Sequence, residues 1–263
     1  MSHEEEIDLK KDLIRLYHIG GSIKMLIIVI LSVLSFIIST ILLIKFTQIE
    51  IVVPAQPSLF GPDEYTIKPF GVPAYLSILI STITPLIWIL IYIGAKQRNN
   101  EMMAKTVHAA YVILRIGMWA FSAIFVILGF LLISEMIVNY GEGIIAFVMY
   151  LLVFIYVIFI IQIFIRFLRD LENNLYQTNM TKRANPEALK IIYGLSVFIS
   201  IVYILIYVFT SPAETNSIDF EYVKPFIEIY AIYEPYVIGI SFCLSLTIFL
   251  LLNKFQKEFT HIS

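Results

Sequence analysis

Cysteine occurs once, as Cys243, so neither an intrachain disulfide nor a thiolate metal centre is available. Histidine occurs four times, as His3, His18, His108 and His261. None of these falls within the core of an apolar block, which removes haem ligation and histidine proton relays. Charge is scarce: Asp, Glu, Lys and Arg make up 14% of the chain, against roughly a quarter in a soluble domain. There is no P-loop, no glycine-rich dinucleotide turn, no zinc-type His-Glu helix motif and no nucleophile elbow. Outside the apolar blocks no segment exceeds about 28 residues, which leaves no room for a soluble catalytic domain. Neither enzymatic activity nor a metal or cofactor is expected.

Apolar residues are abundant: 59% of the chain, with a mean hydropathy of +0.87. They gather in blocks of roughly 20 residues or more, the length at which a helix rising ~1.5 Å per residue crosses a hydrocarbon core. Lipid offers no partner to an open backbone amide, so such blocks are helical. The spans are placed at Met25–Ile44, Pro73–Ala95, Val107–Ser134, Gly143–Ile165, Leu189–Phe209 and Tyr236–Leu252. Val107–Ser134 is longer than a bilayer requires and is expected to tilt or project. The fold class that follows is all-α, a polytopic transmembrane helix bundle of about six spans. Residues 1–24 form an N-terminal segment, 25–254 the bundle and 255–263 a short tail. The first 24 residues carry Glu4, Glu5, Glu6, Asp8 and Asp12 instead of a short basic start, so the first span is expected to stay in the mature protein.

Orientation follows from the cations. Fourteen of the eighteen Lys and Arg lie in the N-terminal segment, after span two, around spans four and five, or in the tail. The alternate connections hold only Lys45, Lys68 and Lys224. By the positive-inside rule both termini are cytoplasmic. The outer connections carry ten acids. The first is proline-rich; the last, Ser211–Pro235, is rich in aromatics that either anchor at the interface or pack as a lid over a vestibule. Glu64–Phe70 and Glu221–Phe226 echo each other, as a parallel duplication would.

Five residues stand out as candidate functional positions: Arg115, Pro85, Gln162, Glu135 and Glu142. Arg115 is the only full charge within a span. It either snorkels to the inner headgroups or is buried against substrate or an acid such as Glu101 or Asp170. Pro85, preceded by Thr82 and Thr84, is expected to kink span two, and a kink can serve as a gate hinge. Gln162 is a lone amide expected to bond to a neighbouring helix. Glu135 and Glu142 bracket a tight outer turn, either solvated or sharing a cation. Ser35/Ser39, Ser196/Ser200 and Ser241/Ser245 are small pairs at helical spacing that let backbones approach. Glu4–His18 reads as an amphipathic helix lying on the inner membrane surface.

Short loops and nearly charge-free spans point to a pore-forming or scaffold subunit of a larger membrane machine. In size, span count and heavy use of Ile and Tyr, the chain resembles the six-span membrane proteins of thermoacidophilic crenarchaea. Among them is the polytopic subunit proposed as the channel of the crenarchaeal DNA-import system. That resemblance implies nucleic acid as translocated cargo, partner membrane subunits, an oligomer and a cytoplasmic ATPase. External acid would neutralise most outer carboxylates, which titrate near pH ~4, and so relieve their repulsion of phosphates. An ABC-type exporter permease is the alternative. It shares the six spans and needs a re-entrant stretch before span six, which Ser211–Pro235 could supply. Its aromatic-leucine-proline-glycine run is absent, with Pro69-Phe70-Gly71-Val72 in that place. A small-molecule channel or membrane-embedded regulator is the third class, resting on Arg115, Gln162 and Pro85.

Overall fold

The computed structural model of the chain describes residues 14–53, 65–67, 78, 81–138, 142–175, 185–209 and 224–260. Its long helices are α1 (Ile23–Thr47), α2 (Ile83–Lys96), α3 (Asn100–Val138), α4 (Glu142–Leu175), α5 (Glu187–Phe209) and α6 (Lys224–Thr260). Residues 14–20 form a further helical segment ahead of α1. Five of the helices are long and apolar enough to cross a membrane, and α2 is a shorter apolar helix. The protein is therefore an all-α, multi-pass membrane helix bundle. The outer part of span two, from Pro73, lies largely outside the described residues.

Two strands interrupt the helical order. β1 (Ile51–Val53) and β2 (Tyr65–Ile67) pair antiparallel, with Ile51 opposite Ile67 and Val53 opposite Tyr65. They pair two short stretches between α1 and α2 that the prolines there had not announced. The β-branched residues of both strands suit a pleated pair.

Local chemistry sets the helix ends. Ser22 caps α1, its Oγ accepting from the Met25 N–H at 3.4 Å. Asn99 Oδ1 accepts from the N–H groups of Glu101 and Met102 at 2.9 and 3.4 Å and starts α3. Asn185 Oδ1 accepts from the Glu187 N–H at 2.9 Å, and Pro186 follows it. There its missing N–H costs nothing, because a helix's first amides have no internal partner. Between α2 and α3 the turn is so tight that Arg98 adopts φ 51°, a region where a Cβ is penalised. Arg98→Gly is expected to raise stability by about 1 kcal/mol, the scale of that penalty less glycine's added entropy loss. Thermal unfolding in detergent checks it; an unchanged or lower midpoint would count against the strain.

The helices are neighbours in a closed order. α1 packs on α2 and on α6, α2 on α3, α3 on α4 and α5 on α6, while α4 touches α5 only lightly. Among the described residues the buried core gathers at one end of this ring. On α3 it runs from Met103 to Leu114, a rise of about 17 Å. Leu168, Leu171 and Leu175 of α4 join it, with Ile248, Leu251, Leu252 and Phe255 of α6. Toward the other end the same helices present Ile116, Trp119, Leu152, Phe159, Phe198 and Ile206 as exposed side chains. α3 has 39 residues and α6 has 37, nearly twice what a ~30 Å hydrocarbon core needs. The core therefore sits where the helices reach toward water. Water drives apolar burial, whereas lipid is as apolar as leucine and leaves helix faces unsealed.

Candidate functional site

The packed end is also the charged end, and we refer to it as the base. Five contacts gather its polar groups. His108 Nδ1 lies 2.8 Å from Glu172 Oε1, joining α3 to α4. Lys190 Nζ donates to Gln256 Oε1 at 2.7 Å, joining α5 to α6. Lys254 Nζ lies 3.5 Å from His18 Nδ1, and Tyr17 donates its hydroxyl proton to Asn100 Oδ1. Lys105 Nζ stands 2.6 Å from Glu101 Oε1, one helical turn away. The hydrogen bond and charge of Lys105 hold the Glu101 carboxyl below the usual carboxylate range. Both groups are exposed, so this pair adds little to stability.

Inside the charged ring lies an apolar cavity of about 50 Å³, lined from every helix of the bundle and from the 14–20 segment. Its wall includes Leu16, Met25, Trp88, Phe167, Tyr193 and Ile248. Trp88 of α2 meets Phe164 of α4 across it, ring centroids 5.5 Å apart. No carboxylate, imidazole or thiol contributes to the lining. The cavity can exclude water or hold a hydrocarbon fragment.

Arg115 is exposed, and its Nη1 donates to Tyr111 Oη at 3.3 Å. Neither Glu101 nor Asp170 is its partner in the structure; Glu101 lies about 21 Å away along α3 and pairs with Lys105. Counting outward from the His108–Glu172 pair by about 10 Å on each helix brings Arg115 level with Arg166. Arg115 and Arg166 thus form a cationic belt at one height on α3 and α4. Gln162 is exposed on α4 and bonds to no neighbouring helix among the described residues, contrary to expectation.

Pro85 is buried in the first turn of α2. The helix is interrupted at Thr82, although the Thr82 N–H still reaches Ile78 O at 3.3 Å. A proline ring displaces the carbonyl four residues back, here Ser81, beside the interruption. Glu135 lies near the end of α3 and Glu142 opens α4. The side chains of both lie outside the described residues, and so does the cation site proposed between them.

Two other expectations change. Helix α6 begins at Lys224 and includes Glu228 and Glu234, which were assigned to the last outer loop. Residues 224–235 therefore continue span six as helix through Pro235, and Tyr203 of α5 donates to Glu234 there. The re-entrant stretch that an exporter permease would need is not formed by these residues. The lid and the sequence echo fall mostly outside the described residues. Second, the described part of the N-terminal helix does not lie flat on a surface: Leu16 and Ile19 are buried in the bundle.

Two of the three serine pairs meet through one member each. Ser196 Oγ of α5 lies 3.0 Å from Ser245 Oγ of α6, and Ser200 Oγ donates to Ser196 O at 2.8 Å. At the far end from the base, α3 and α4 instead join through aromatics. Phe125 stacks on Tyr150 and Phe154, with centroids 3.8 and 4.5 Å apart. Sequence reading passed over this stack, although Phe121 and Phe125 share a helical face at four-residue spacing. It also passed over the caps Asn99 and Asn185, whose positions before apolar blocks are a start signal. No protein-family model, no curated protein and no solved structure matches this chain.

Proposed function

We propose that the chain is a non-enzymatic, pore-forming or scaffold subunit of a multi-protein membrane transport machine. The observation that carries this reading is the closed order of helices, packed at the base and unsealed elsewhere. A chain with independent work to do would be expected to bury charged or discontinuous coordination within its spans. Here the described spans offer Arg115, which is exposed in the belt, and Gln162, which faces outward. The exposed apolar faces of α3, α4 and α5 suit lipid and further membrane subunits, including other copies of the chain. The alternation of cations supports a base facing the cytoplasm, with both termini there. A cytoplasmic ATPase would then meet Lys96, Lys105, Arg166, Arg169 and Lys257.

DNA is the cargo that the resemblance to crenarchaeal membrane proteins implies. Spans without buried acids are compatible with it, because a phosphate chain pays a heavy electrostatic penalty beside carboxylates. Deleting the gene is expected to reduce uptake of labelled DNA to the level of cells given none. Unchanged uptake would remove DNA as cargo. Affinity purification from gently solubilised membranes is expected to bring down at least one other membrane subunit in constant ratio; recovery of the chain alone would remove the machine.

A further inference from the structure

We propose that the helical segment 14–20 is a plug seated in the base of the bundle, closing access to the apolar cavity from that side. Its gating consequence rests on the pore-forming reading above. Contacts with the bundle hold the segment in place. Leu16 and Ile19 supply the apolar part: they are 7% and 3% exposed, and both line the cavity. The polar ties surround them. Arg15 Nη1 donates to the Glu258 carbonyl at 3.4 Å, Tyr17 donates to Asn100, and His18 faces Lys254. These three ties reach α6, α3 and α6 in turn, so the segment bridges helices that do not pack on each other.

The join to α1 is a break in the helix. Gly21 separates the segment from Ser22, whose φ −73° and ψ 162° are extended rather than helical. Gly20 also sits so close to α2 that an added Cβ would fall 2.7 Å from Ala95 Cβ. The segment is therefore an arm ahead of α1, docked by two aliphatic side chains and a glycine contact. An apolar constriction of this size excludes ions by dewetting. Opening the base then requires the arm to leave, which moves no transmembrane helix.

The test separates the plug from the pore. Met25, 1% exposed and lining the cavity, is replaced by cysteine in a chain whose only native cysteine, the exposed Cys243, is made alanine. A charged, water-soluble maleimide should label Met25→Cys slowly in vesicles of phosphatidylcholine and phosphatidylglycerol. Adding Leu16→Asn with Ile19→Asn should speed labelling at least tenfold, at unchanged helical content and elution volume. Gly20→Val, which keeps the apolar face and unseats the arm by crowding Ala95, should do the same. Equal labelling rates in both variants and the parent would overturn the plug. If labelling accelerates and trapped carboxyfluorescein also leaks faster, plug and pore both stand. If labelling accelerates without any leak, the plug stands as a cover and the pore-forming reading falls.

Discussion

Gly94→Ala is expected to destabilise the bundle by about 2–3 kcal/mol, the range for forcing extra atoms into a packed contact. A Cβ at residue 94 would lie 2.0 Å from Thr106 Oγ1 and 3.1 Å from both Thr106 Cβ and Met103 Sδ. Thr106 has little freedom to yield, since its branched Cβ restricts χ1 and its Oγ1 donates to Met103 O at 2.9 Å. Helices α2 and α3 would have to separate at the contact that anchors the base. The displaced atom names the remedy: Thr106→Ala removes the hydroxyl at 2.0 Å but leaves its Cβ at 3.1 Å. The double variant should therefore regain roughly half of the loss, a coupling typical of residues in contact. Denaturant unfolding in detergent measures both. A single variant as stable as the parent would mean that the two helices do not approach this closely.

Leu168→Ala and Leu152→Ala, sixteen residues apart on one helix, should differ more than any other matched pair in the bundle. Leu168 is fully buried among core side chains, whereas Leu152 is 57% exposed. Truncating a buried leucine loses its transfer free energy and leaves a cavity, together about 3 kcal/mol. Truncating Leu152 removes contacts that detergent or lipid chains supply equally well, so its cost should stay within ~0.5 kcal/mol. The comparison tests where stability resides. Equal losses would place packing all along the bundle and would contradict a core confined to the base.

The helical spans were legible because each needs only its own residues: hydrophobic length together with the demand for internal hydrogen bonds. The position of Arg115 was half legible. Its distance from the end of the apolar block allowed an interfacial place, and the His108–Glu172 pair puts it level with Arg166. Its bond to Tyr111 was open to sequence reading at four-residue spacing. The outward face of Gln162 was legible: Arg166 and Arg169 share it at four- and seven-residue spacing. The continuation of α6 to Lys224 was hidden by Pro225, Pro235 and the nearby acids, which read as a loop. A proline at the second helical position is tolerated, and Pro235 lies inside the helix without ending it.

Composition and cation spacing by themselves determined that this is a multi-pass helical membrane protein, with its positive charge gathered at alternate turns. Those properties depend on transfer between water and lipid, which each segment undergoes separately. Tertiary structure alone decided which helices adjoin, that the ring closes through α1 and α6, and that the core and its cavity lie at the charged end. It also decided that Leu16 and Ile19 belong to that core. Contacts of this kind depend on shape at glycines such as Gly20 and Gly94 and on burial driven by water at the base, and neither is written in local hydropathy.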